Sequence, residues 1–180
     1  MDPLAAHERA QQVFADVLAG VGPGQLEAPT PCSEWSVRDL VGHVVSGNYR
    51  VAQKEPPAPA HDVAGLLEAH AASARAAQAV LAAPGGLERT YQLRIGEVPG
   101  AVVVVMRARD ALVHAWDLAK ATGQSTDIDP ELADWALGTS RQTLTEDMRG
   151  PGRPFGAEQP CEAGRPVADR LAAFLGRAVD

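Results

Sequence analysis

Asp110 and His114 stand one helical turn apart in a stretch whose neighbours on the same face, Val103, Met106, Val113 and Ala121, are apolar. At about 100° per residue, Asp110, His114 and Asp117 fall inside one narrow stripe of that helix. A carboxylate or imidazole taken out of water costs several kcal/mol unless it is paired or coordinated, so ionisable groups on an apolar face call for a partner or a metal. The i, i+4 spacing lets a carboxylate oxygen and an imidazole nitrogen reach one ion. A third ligand must come from another helix. His43, at the edge of an earlier apolar arc, is the best candidate, because helical bundles build metal sites from side chains on facing helices. Two imidazoles, one carboxylate and a water make an open site of the kind that activates a small molecule.

The same spacing is met more often by an Asp and a His that hydrogen-bond each other, with His43 a satisfied core histidine, because D-x-x-x-H is short and recurs by chance. Asp117 also reads two ways, orienting a ligand histidine or pairing with Lys120 at i+3. Arg38 and Asn48 are the polar residues of the His43 helix able to contact a substrate. Asn48 lies near the middle of its apolar arc, where a buried hydrogen bond is the plainer role. Cys32 reads as a packed thiol rather than a nucleophile, and Trp35 and Trp116 as packing whose indole N–H needs an acceptor. His7, His61 and His70 stand alone in polar contexts and read as solvated surface residues.

These residues need helices to hold them, and apolar residues recur at helical spacing in nearly every long segment. A first helix is expected over about residues 3–20, ending in Gly20, Gly22 and Gly24. Ser36 and Asp39 form a capping-box signal for a second, which runs to about residue 53 before Pro56, Pro57 and Pro59. A third, over about 62–83, is Ala-rich, and Thr90 to Ile95 reads as a short extended segment. The fourth, over about 100–122, ends at Gly123. The fifth starts with Asp129 as cap and Pro130 in its first turn, and a short helix near 167–175 packs back from the tail.

At 180 residues with 46% hydrophobic content the chain suits one domain, a helical bundle over 1–149 followed by a tail over 150–180. Its net charge of -7 and scattered basic residues argue against nucleic acid as a partner. The start has no basic and apolar signal-peptide pattern, and no apolar run approaches the roughly 20 residues of a membrane span, so a cytoplasmic location without membrane insertion is expected. Two widely spaced cysteines, Cys32 and Cys161, read as free thiols in a reducing compartment.

Two runs carry a family likeness: T-P-C-S-E-W-S-V-R-D-L-V-G-H, Thr30 to His43, and D-A-L-V-H-A-W-D-L-A-K-A-T-G, Asp110 to Gly123. They resemble the signature segments of the mycothiol-dependent maleylpyruvate isomerase-like proteins of the DinB-like superfamily. The F-L-G-R at Phe174 to Arg177 is similar to the ending of short actinobacterial members. The resemblance implies an all-α fold, a DinB-like four-helix bundle with additional C-terminal helices. It also implies a metal, typically zinc, held by His43, Asp110 and His114, with mycothiol as cosubstrate. The isomerase itself is longer, with a C-terminal domain that helps form its active site, and carries a glutamate where Asp110 stands here. The implied function is a thiol transferase or isomerase acting on a small thiol and an electrophilic substrate. A non-catalytic metal- or small-molecule-binding helical module is the alternative. A homodimer is one option for its assembly.

Overall fold

The computed structural model describes residues 1–32, 34–93, 95–150, 153 and 155–179. Ser33 of the first quoted run, Arg94 of the extended segment, and Pro151, Gly152, Pro154 and Asp180 of the tail lie outside the described residues. Helix α1 (Pro3–Ala19) starts at Asp2, whose carboxylate accepts the Ala5 N–H at 3.0 Å. In α2 (Val37–Val51) the Ser36 hydroxyl accepts the Asp39 N–H at 3.2 Å, and Asp39 accepts the Ser36 N–H at 3.0 Å. This closes the expected capping box and satisfies donors that a helix start leaves orphaned. Helix α3 (Val63–Leu81) is capped by Asp62, and α4 (Gly100–Thr122) ends at Gly123, whose φ of 73° a residue with a Cβ adopts only at a cost. Asp129 caps α5 (Pro130–Thr143), and α6 (Val167–Phe174) follows the tail. Each expected helix forms, with ends displaced by at most two residues.

The bundle is cyclic: α1 and α2 each pack on both α3 and α4, while α5 and α6 pack on each other and on α4. Helix α4 therefore contributes to all three apolar clusters, through Leu112 and Trp116, through Leu118 and Ala119, and through Val103 and Val104. Every residue from Ala111 to Ala119 is buried, which places His114 and Asp117 inside the protein. Burying a leucine such as Leu118 contributes about 2 kcal/mol, so α4 is fixed firmly in place along this stretch.

The extended segment is half of an antiparallel hairpin, β1 (Thr90–Leu93) with β2 (Gly96–Pro99), in which Tyr91 faces Val98. No Asn-Gly or Asp-Gly announces the turn, but Gly96 supplies a φ of 106°. The hairpin is anchored by the buried Tyr91, whose hydroxyl lies 3.0 and 2.9 Å from the Val80 and Gly86 carbonyl oxygens. Among the described residues no helix is long and apolar enough to cross a membrane.

His61 is exposed as expected, but His7 and His70 are buried, not solvated. They join Gln11, Asn48, Ser73 and Gln78 in a polar network inside the bundle. His7 Nδ1 donates to Gln78 Oε1 at 2.6 Å, and His70 Nε2 donates to Gln11 Oε1 at 2.9 Å. Asn48 Nδ2 donates to Gln11 Oε1 at 3.0 Å and to Ser73 Oγ at 3.3 Å. The network escapes sequence reading because α1 and α3 are Ala-rich, and small side chains draw no clear boundary between inner and outer faces. Burial, and then the nearby Arg107 charge, push His70 down to about 4; burial does the same to His7 against the opposing Gln78 hydrogen bond.

Candidate metal centre

Between α2 and α4, three ligand atoms converge. His43 Nε2 lies 3.5 Å and His114 Nε2 3.6 Å from the same Asp110 oxygen, Oδ1. Both gaps exceed the usual 2.7–3.2 Å of an N–H···O hydrogen bond. They match the edge, about 3.4 Å, of a tetrahedron whose centre is a zinc ion about 2.1 Å from each ligand. The two imidazoles meet edge to face with centroids 5.0 Å apart, and the Trp35 ring lies 4.6 Å from that of His43. Exposure falls from 38% for the His43 side chain through 27% for Asp110 to 7% for His114, so the group is open on one side and closed at its base.

Arg107 sits at that base. Its Nη1 donates to the other Asp110 oxygen, Oδ2, at 2.8 Å, and its Nη2 donates to the Val44 carbonyl at 3.1 Å and Asn48 Oδ1 at 3.0 Å. Burial alone would raise the Asp110 carboxyl, but the Arg107 charge, followed by that of His114, outweighs it and holds the group well below the usual carboxylate range.

The far nitrogen of His114 faces a second acid. His114 Nδ1 donates to Asp117 Oδ2 at 2.9 Å, and Arg177 reaches back from the tail to donate to Asp117 Oδ2 at 3.0 Å and Oδ1 at 3.2 Å. The Cys32 thiol donates to the same carboxylate at 3.2 Å and lies 3.9 Å from His114 Nδ1. Cys32, His114 and Asp117 are a second trio close enough to share an ion, but 2.9 Å is a hydrogen bond rather than a ligand edge. Burial works against ionisation of Asp117, yet the His114 hydrogen bond and the Arg177 charge bring its pKa down to about 2. His114 is raised well above its ordinary value: burial opposes the shift, and the flanking Asp110 and Asp117 overcome it.

The loop before α2 delivers Cys32 and Trp35. Thr30 Oγ1 accepts the Cys32 N–H at 3.2 Å, the Thr30 N–H donates to the Trp35 carbonyl at 3.1 Å, and the capping box then fixes where α2 begins. Of the sequence candidates, His43, Asp110, His114 and Asp117 come together, and Asn48 touches them through Arg107. Arg38 does not join them. It pairs with Glu27 and reaches the Ala60 carbonyl and His61, tying the segments on either side of α2. Trp116 is packing, as expected, with its indole N–H donated to Asp169 at 2.7 Å. Sequence reasoning assigned no site role to Cys32, Trp35, Arg107 or Arg177. The first two lie in the run ending at His43, Arg107 is three residues before Asp110, and Arg177 closes the F-L-G-R run.

Comparison with known proteins places this chain among relatives. The model of the mycothiol maleylpyruvate isomerase N-terminal domain matches residues 7–119. Two uncharacterized proteins of Mycobacterium tuberculosis, from strains CDC 1551 / Oshkosh and ATCC 25618 / H37Rv, are each 54% identical over 184 residues, covering 99% of this chain and 100% of theirs. The crystal structure of the mycothiol-dependent maleylpyruvate isomerase superposes with a TM-score of 0.60 at 16% identity, over 75% of this chain and 66% of that one. A histidine-to-alanine mutant of the same isomerase gives 0.64 at 16% identity, over 83% and 72%. At such identity the superposition establishes a shared fold, and this chain spans about two thirds of the isomerase's length.

Proposed function

Because this chain belongs to the mycothiol maleylpyruvate isomerase N-terminal domain family, we propose that it is a metal-dependent protein acting on a small thiol, with zinc held by His43, Asp110 and His114. The observation that carries this reading is the convergence of three ligand atoms within 4.8 Å of one another, with both histidine nitrogens standing from Asp110 Oδ1 at distances longer than hydrogen bonds and close to the edge of a coordination tetrahedron. Three protein ligands leave a fourth position, and when bound there the ion would supply Lewis acidity that favours the thiolate of a sulfur ligand at neutral pH.

The protein's own groups prepare such a site. Asp117 accepts from His114 Nδ1 and Arg177 steadies Asp117 in turn, so a metal that displaced the Nε2 proton would meet a ring already oriented toward Asp110 Oδ1. Trp35 sets an aromatic ring beside His43, with centroids 4.6 Å apart. Family membership supports mycothiol as the thiol and an electrophilic carbon as its target, in a transfer or an isomerisation. The free thiols of Cys32 and Cys161 suit a reducing cytoplasm.

Elemental analysis of the tag-free protein, dialysed without chelator, tests the reading alongside His43→Ala. About one zinc per chain, lost in the variant, is expected. Addition of a small thiol should then perturb the visible spectrum of the cobalt-substituted protein. No metal in either protein after zinc is offered back would overturn the proposal.

A further inference from the structure

Arg107 is placed in a way that packing alone does not explain. Its guanidinium lies inside the bundle at 8% exposure, and its Nε has no acceptor among the described residues, which burial makes unfavourable. Arg107 and Asp110 share α4, three residues apart, and the guanidinium that joins them lies against α2 at Gly47, where α2 has no side chain. A Cβ there would stand 2.5 Å from Nη1, 2.7 Å from Cζ and 2.8 Å from Nη2 of Arg107, closer than carbon can approach. Gly47 is interior to α2, one turn beyond His43, where glycine weakens a helix relative to alanine. A residue poor for the helix thus stands where only its lack of a side chain admits the guanidinium.

The seat has a chemical consequence. Arg107 engages Asp110 Oδ2, so the remaining oxygen, Oδ1, is the one turned toward His43 Nε2 and His114 Nε2. Asn48 and the Val44 carbonyl hold the other end of the fork, and Asn48 is itself fixed by Gln11 and Ser73. We infer that Arg107, seated over Gly47, is a positioning residue that makes Asp110 a one-oxygen metal ligand and balances its charge, suiting the open position to an anionic sulfur ligand. This rests on the metal reading proposed above. It assigns the polar interior of the bundle a task, since the network from Gln11 through Asn48 ends on a ligand carboxylate. Lysine cannot replace the fork, because an ammonium is a point donor that cannot serve Asp110, Asn48 and Val44 in the same geometry.

The test joins thermal melts of the metal-free protein with zinc competition against a chromophoric chelator. Gly47→Ala should lower Tm in the parent chain, where the new methyl meets the guanidinium. It should raise Tm in an Arg107→Ala background, where the collision is gone and only the better helix propensity remains. Arg107→Ala should weaken zinc binding about 10–100-fold and shift the cobalt spectrum, with Arg107→Lys recovering only part of either. If Arg107→Ala does not fold, Arg107→Lys carries the metal and spectral comparison. A rise in Tm on Gly47→Ala in the parent overturns the inference, as do unchanged zinc affinity and cobalt spectrum in the Arg107 variants. Zinc lost in His43→Ala but unaffected by Arg107→Ala overturns only the role of Arg107. A parent chain that binds no zinc overturns the metal reading and this role with it.

Discussion

Lowering the pH from 7 to 5 should destabilise this protein through His7 and His70. Each ring is neutral in the fold: His7 donates from Nδ1 to Gln78 while its Nε2 faces Gln11, and His70 donates from Nε2 with no partner at Nδ1 among the described residues. Burial brings both from 6.5 down to about 4. The unfolded chain therefore takes up protons first as pH falls. Stability is complete above about pH 6.5 and drains away between 6.5 and 4. At pH 5 an unfolded histidine is almost fully charged and a folded one is not, which amounts to about 2 kcal/mol per ring, or about 4 kcal/mol for the pair. That is a large part of the 5–15 kcal/mol by which domains are usually stable. Asp117, depressed to about 2, loses its contribution only in more acid solution, and His114, shifted upward, acts on the alkaline side. Urea unfolding at pH 7 and pH 5, on the parent chain and on a His7→Gln/His70→Gln double variant, measures the effect. The parent should lose several kcal/mol over this interval and the double variant far less. Equal losses in both, or a parent whose stability is flat from pH 7 to 5, would refute the reasoning.

Asp117→Asn removes the carboxylate that accepts from His114 and from Arg177. Zinc affinity measured by chelator competition should fall about 10–100-fold, and an unchanged value would show that Asp117 does not tune the ligand. Ser36→Ala breaks the capping box of α2 and should cost about 1 kcal/mol, read as a fall in Tm of about 2–4 °C; an unmoved Tm would place the start of α2 under other control.

What the sequence by itself determined is local. Ser36 with Asp39, Asp129 with Pro130, and Gly123 mark helix ends because caps act within a turn or two of the chain. The alignment of Asp110, His114 and Asp117 on one face follows from helical periodicity alone. Two recurring runs were enough to point to the family. Periodicity is angular, however, and says nothing about which helix a face will meet. Only the packed bundle brings the Arg177 guanidinium to Asp117 from the far end of the chain, or the thiol of Cys32 to the same carboxylate. His7 and His70 looked solvated because their alanine-rich helices carry no sharp apolar arc, and closure of α1, α2 and α3 around Asn48 decided otherwise. Gly47 and Arg107 are unremarkable on their separate helices. Their relation exists only where α2 and α4 meet, and there the absence of one Cβ lets a buried guanidinium lie against the α2 backbone.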